Sequence, residues 1–240
     1  MSTLLTAILP AYTVDPFLGK VDKSCLSQLT LMELFVEGIT NTECIWGGEY
    51  SMGLSEWFDI DLNASGEVIE INWDSYDIDG TINLQWLPPS VVRVHLDDNN
   101  LTGSIDLTDL PQLLKAIFIC QNTLSGTISL ESLPPLLVSL GVSENQLTGT
   151  VNLTLLPTRL QYLFLYGNMF FGPIDITKLP EKMLAIHLNE NQFEGDTDFS
   201  QLPPSLNYLA VANTKLSGTL VVKNRMKAKA QESNVTLVIQ

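Results

Sequence analysis

The chain has 240 residues, 45% of them hydrophobic, which is enough to bury a sizeable core in one domain or two. Its 27 acidic residues outnumber 12 basic ones, for a formal net charge of −15. That charge repels phosphate backbones and anionic lipid, which argues against nucleic acid as a partner, and no apolar run approaches the ~20 residues of a membrane helix, so no membrane span is expected.

Residues 1–63 lack any repeat and read as an N-terminal cap. Leu4 to Pro10 is apolar, but it has no basic flank and barely reaches the ~7–15-residue core of a secretory signal, so no convincing signal peptide is expected. Leu31, Met32, Phe35, Val36 and Ile39 recur at the spacing of one helical face, and Gly38 lies near the end of the run, which predicts a short helix. Cys25, Cys44 and Cys120 are too few, and odd in number, for a disulfide-dense framework. Cys25 is the nearby candidate partner for Cys44, in a bridge that an exported protein could form and a cytosolic one would not.

From residue 64 a repeat takes over. Leu-Pro recurs at Leu87, Leu110, Leu133, Leu156, Leu179 and Leu202, every 23 residues, without insertion or deletion. With that Leu as position 1, apolar residues return at positions 5, 8, 10, 15, 19 and 21, Asn at 13 and Gly at 17. In the third full unit these are Leu137, Leu140, Val142, Leu147, Val151, Leu153, Asn145 and Gly149. A degenerate unit opening at Ala64 fills the same slots with Val68, Ile71, Trp73, Ile78, Gly80, Ile82 and Leu84, so seven units span residues 64–222. Positions 8 and 10 alternate with polar neighbours, and so do positions 17 to 21, which is the two-residue period of a half-buried strand. Each unit therefore carries two short strands and cannot bury its apolar edge alone. Stacked units bury a continuous core, so one solenoid without an interdomain linker is expected.

The stretch LPPLLVSLGVSENQLTGTVNL (133–153) resembles the leucine-rich repeat LxxLxLxxNxL in its plant-type variant, where LxGxI follows the Asn. The Leu-Pro-Pro opening and 23-residue length are similar to a form found in protist leucine-rich-repeat proteins, and the likeness covers about two thirds of the chain. It implies a β-rich, right-handed horseshoe arc with a parallel sheet on its concave face and a second, short-strand sheet beside it. It also implies macromolecular recognition, no cofactor, and an exported or cell-surface setting. Cys44-Ile45-Trp46-Gly47-Gly48 resembles the Cys-x-Trp-x-Gly word of plant-type caps, although Glu49 to Met52 lacks that word's second Cys. Asn99, Asn122, Asn145, Asn168 and Asn191 would sit inside the turn and bond its unpaired backbone groups, with Tyr76 and Thr214 breaking the column at either end.

After the repeat, Val235, Leu237 and Ile239 alternate as a closing strand of a C-terminal cap, residues 223–240. Lys223, Arg225, Lys227 and Lys229 precede it and read as a solvated face.

Little in the sequence points to chemistry. His95 and His187 occupy the same slot four units apart, about 19 Å at the strand spacing of a sheet, too far to share a metal or a proton. Cys120 falls at an outward sheet position that reads as exposed and lacks an acid–base partner, so neither a catalytic nor a metal site is expected. The enzyme alternative is a glycosidase acid pair, Asp74 stacked over Asp97 at about the 5–5.5 Å of a retaining enzyme, with Glu70 and Asp98 completing an acidic rim. A structural alternative is a surface-adsorbing protein. Thr81, Ser104, Thr127, Thr150 and Thr219, with Thr102, Ser125, Thr148 and Ser217, form a hydroxyl array on the flanking strand that Pro173 and Asp196 interrupt.

Positions 7, 9, 11 and 12 face out of the concave sheet and are free of packing duty. They hold Phe118, Tyr162, Phe164, Tyr166, His187 and Tyr208, with Gly141, Ala185 and Ala210 leaving hollows between them. Aromatics clustered on one face mark an interaction site, so the predicted function is a non-catalytic recognition module binding a protein through that face.

Overall fold

A computed structural model describes residues 23–47, 53–222 and 226–239. The apolar stretch Leu4 to Pro10, Gly48, the segment Glu49 to Met52, and Lys223 and Arg225 lie outside the described residues.

Positions 7 to 9 of each unit form a strand that bonds to the strand one unit later. The strands are β2 (Val68–Asn72), β4 (Arg93–His95), β6 (Ala116–Phe118), β8 (Ser139–Gly141), β10 (Tyr162–Phe164), β12 (Ala185–His187), β14 (Tyr208–Ala210) and β16 (Lys227–Lys229), all parallel, with β1 (Ile60–Leu62) antiparallel at the edge. Val94 pairs with Ile117, Ile117 with Leu140, Leu140 with Leu163, Leu163 with Ile186 and Ile186 with Leu209, a step of 23 residues each time. All six are fully buried. The repeat thus becomes a column of branched aliphatic side chains, the geometry that buries each unit's apolar edge on the next.

Positions 14 to 18 supply the second sheet. It consists of β7 (Ser125–Thr127), β9 (Gln146–Gly149), β11 (Met169–Gly172), β13 (Gln192–Asp196), β15 (Lys215–Val222) and β17 (Asn234–Ile239). The short pair β3 (Asp79–Gly80) and β5 (Asn100–Leu101) stands at the corresponding place in the first coils. The segment after residue 222 therefore adds a strand to each sheet, because Lys227 pairs with Tyr208 and Asn234 with Ser217.

Between the sheets the backbone must turn. Position 12 takes left-handed φ in every unit, +57° at Asp98, +53° at Gln121 and +52° at Glu144, and the Asn of position 13 fastens the bend. Asn145 Oδ1 accepts from the Leu124 N–H at 2.9 Å, and its Nδ2 donates to the carbonyls of Ile119, Val142 and Ser143 at 2.9–3.2 Å. At the broken ends, Tyr76 donates its N–H to Asn99 Oδ1 at 3.1 Å, and Thr214 Oγ1 donates to the Val211 carbonyl at 2.7 Å.

The N-terminal coil is covered by α1 (Gln28–Val36), capped by Ser27 Oγ, which accepts from the Thr30 N–H at 3.1 Å. Leu31, Met32, Phe35 and Val36 form its buried face. Ile39 does not belong to the helix, which stops at Val36; it bridges to Gly80 instead. Gly38 is a contact position rather than a helix stop, since a Cβ there would lie 2.0 Å from Thr81 Oγ1. Phe35, Trp73, Trp57 and Trp46, the last on the one-turn helix α2 (Glu43–Trp46), follow one another with ring centroids 4.9–6.1 Å apart and close the core at this end. Cys44 is a free thiol that donates to the Asn41 carbonyl at 3.0 Å, so the bridge to Cys25 is not formed.

Candidate binding face

Register brings the concave aromatics together. Phe118, Phe164 and His187 occupy position 9, Tyr162 and Tyr208 position 7, and Tyr166 position 11. Phe164 meets Phe118 at 6.5 Å, Tyr162 at 6.2 Å and, edge-on, His187 at 4.9 Å. His187 in turn stacks on Tyr208 at 4.6 Å and lies 5.9 Å from Tyr166. All six side chains are half-buried. His95 extends the run by stacking on Phe118 at 5.4 Å. It was not among the predicted binding residues, although its place in the same slot as Phe118 was legible.

The expected hollow at Gly141 is not there. A Cβ at that position would sit 2.7 Å from Phe118 Cδ1 and 3.0 Å from Cys120 Sγ, so the Phe118 ring lies across the glycine and bridges two units to reach Phe164. Gly141 and Ala210 are buried. Small residues here let rings fill the face, giving a continuous surface rather than separate pits.

The two ends of the face differ in charge. At the C-terminal end Lys229 holds its Nζ 6.0 Å from the Tyr208 centroid. Lys227 and Lys229 are thus concave residues, not merely a solvated flank. Burial, reinforced by Lys229, lowers the His187 pKa. Burial and a hydrogen bond to Glu144 push the Tyr166 hydroxyl up to about 12.

At the N-terminal end the acidic rim is engaged. The Arg93 guanidinium donates to Glu70, through Nε at 2.7 Å, and this bond holds the Glu70 carboxyl low. Asp74 Oδ1 accepts from the Asp97 N–H at 2.7 Å, Asp97 Oδ1 accepts from the Cys120 N–H, and the second Asp74 oxygen lies 3.8 Å from His95 Nδ1. Burial, then the field of Asp74, raises the Asp97 pKa. Asp98 sits in the turn rather than on the sheet, with φ +57°, and accepts from Ser75 Oγ at 2.9 Å. The Asp74 and Asp97 carboxylates thus prolong the backbone ladder, a geometry that does not favour the glycosidase reading.

Cys120 is half-buried rather than exposed, and burial together with Asp97 pushes its thiol up to about 12. It carries no thiolate nucleophile at neutral pH. Among the described residues no group of three or more His, Cys, Asp or Glu side chains is placed to hold a metal ion, and no helix is long and apolar enough to cross a membrane.

The hydroxyl array has a packing role. The methyls of Thr81, Thr127 and Thr150 lie where a Cβ on Gly103, Gly149 or Gly172 would fall, 2.9–3.1 Å away. At Gly149 the φ of +95° excludes a side chain a second time. Phe171, 47% exposed, interrupts the array with Pro173, and Met169, 43% exposed, lies beside it.

No family model and no curated protein matches this sequence. Solved structures do resemble its fold. The leucine-rich-repeat ectodomain of the Arabidopsis thaliana membrane receptor kinase GASSHO1/SCHENGEN3, in complex with CASPARIAN STRIP INTEGRITY FACTOR 2, is 21% identical with a TM-score of 0.59 over 81% of this chain. Pollen Receptor Kinase 3 is 20% identical, with a TM-score of 0.54 over 86% of this chain and 94% of its own. The PEPR1–AtPEP1 structure is 21% identical, with a TM-score of 0.53 over 80% of this chain. This chain spans 28% of the GASSHO1/SCHENGEN3 ectodomain and 32% of the PEPR1 chain. The register of the strands and these likenesses together give the chain the fold of a leucine-rich-repeat solenoid.

Proposed function

We propose that this protein is a non-catalytic recognition module that binds a protein partner across its concave sheet. The observation that carries this reading is the connected run from His95 to Tyr208, half-exposed on positions that packing does not require. Aromatic rings offer large contact areas with few rotatable bonds to order, so they act as binding anchors. The GASSHO1/SCHENGEN3 ectodomain is in complex with a partner, and partner binding by a solenoid of this shape supports the reading.

The proposal includes residues 1–63 as N-terminal cap, 64–222 as seven 23-residue units of the plant-type, Leu-Pro-Pro form, and 223–240 as C-terminal cap. It also includes an exported or cell-surface setting. A net charge of −15 opposes nucleic acid as the partner.

The test uses partners captured from the native source. Phe164→Ala and Tyr166→Ala should each weaken binding by more than about 1 kcal/mol while leaving folding stability within roughly 0.5 kcal/mol. Thr127→Ala and Thr150→Ala, on the flanking sheet, should leave binding unchanged. Full binding by a folded Phe164→Ala/Tyr166→Ala double variant would refute the concave-face assignment.

A further inference from the structure

Three departures from the repeat coincide in the sixth and seventh units. Position 19 holds Ile82, Ile105, Ile128, Val151, Ile174 and Leu220, an aliphatic side chain in every unit except the sixth, where it is Thr197. Position 21 is Leu or Ile in the first five units and becomes Phe199 in that same sixth unit. Tyr208 then pairs with Lys227, a step of 19 residues, where the step from Ala185 to Tyr208 and each earlier one is 23. β15 still follows β13 in the usual register, so the four missing residues, 23 less 19, fall between β15 and β16.

That shortening leaves the preceding coil partly uncovered. The Leu of Leu-Pro is buried at Leu87, Leu110, Leu133, Leu156 and Leu179, but Leu202 is only half-buried. A cleft of about 1380 Å³ opens beside it, between the two coils, with walls that include Phe199, Leu206 and Val221. Thr197 also lines it. Its N–H donates to the Ser217 carbonyl at 2.9 Å, but its Oγ1 is buried and has no hydrogen-bond partner among the described residues. An unpaired buried hydroxyl costs stability, and the isoleucines of other units show that the slot accepts a side chain without one. Asp196 and Asp198 stand exposed at the mouth, so among the described lining residues no charge lies inside.

We propose that this cleft binds a neutral small molecule with a compact apolar body and one hydroxyl or carbonyl group. The apolar body lies against Phe199, Leu202, Leu206 and Val221, where burial removes both surfaces from water. The polar group of the ligand becomes the hydrogen-bond partner that Thr197 Oγ1 lacks in the free protein. A charged head would leave its hydration shell for walls that offer no counter-charge, which selects against ions. None of these residues belongs to the concave aromatic run, so failure of this site leaves the proposed recognition function untouched.

Amide chemical-shift titration of the full chain with p-cresol and with toluene, which differs only in lacking the hydroxyl, tests the proposal. p-Cresol should shift the Thr197, Phe199 and Val221 amides saturably, with a Kd of about 1 mM or tighter, and toluene should bind at least about fivefold more weakly. Thr197→Val restores the aliphatic residue of the other units, so it should erase the preference for p-cresol without lowering the thermal midpoint. Val221→Trp should fill the cleft and remove binding of both probes, and Leu202→Trp serves if Val221→Trp perturbs folding. Absence of saturable shifts at the cleft up to about 10 mM p-cresol, equal binding of the two probes, or a preference that survives Thr197→Val would overturn the assignment.

Discussion

Asn145 shows how much of this fold rests on single side chains. One amide accepts from Leu124 and donates to Ile119, Val142 and Ser143, tying its own turn to the preceding coil in a place water does not reach. Asn145→Ala would strand the buried Leu124 N–H and the Ile119 carbonyl, at about 1–3 kcal/mol for each group, while the Val142 and Ser143 carbonyls keep bonds from Asn168 Nδ2 and the Gln121 N–H. Denaturant unfolding should therefore show a loss of about 3 kcal/mol, and a loss below about 1 kcal/mol would mean that the neighbouring units hold the turn unaided. The left-handed backbone just before each Asn is marked by a glycine at Gly167 alone. Asp98, Gln121, Glu144 and Glu190 all adopt it, and none of these residue types announces positive φ as glycine would. That is why Asp98 was read as part of the acidic rim and not as a turn residue.

At the scale of elements, α1 was legible because its buried residues recur at helical spacing, and its end was misjudged because Gly38 serves a neighbour. Its carbonyl accepts from the Thr81 N–H at 2.9 Å, and the missing side chain lets the first coil close against the cap. Gly38→Ala should force these segments apart and lower stability by about 2 kcal/mol, as overpacking does. A thermal midpoint indistinguishable from wild type would return Gly38 to the role of a simple helix terminator. The short strands follow from two-residue alternation, which β16 also shows in Met226-Lys227-Ala228-Lys229-Ala230. Lys227, Ala228 and Lys229 are placed by pairing with β14, and that pairing turns two lysines toward the aromatic face.

On the scale of the molecule, one hydrophobic core runs from Met32 to Ala230 through every coil. Nearest-neighbour burial of this kind couples each unit to the next, so unfolding should be a single cooperative transition seen alike by far-ultraviolet circular dichroism and tryptophan fluorescence. The tryptophans lie in the N-terminal part of the chain, so a separate melting of the C-terminal units would split the two signals. Limited proteolysis that released two stable halves would likewise contradict one continuous solenoid.

The sequence by itself determined the period, the residues that face the core and hence the stacked two-sheet architecture, because a fixed 23-residue interval fixes which side chains lie above one another. It also named six aromatics as free of packing duty, since alternation assigns each residue of a strand to one face or the other. Only the tertiary structure decided how those rings meet. Phe118 reaches Phe164 across Gly141, His95 joins the run, and Asp74 and Asp97 bond to backbone instead of facing an open site. Each of these depends on distances between coils, set by the lateral packing of residues 23 or 46 positions apart, and local pattern carries no information about that.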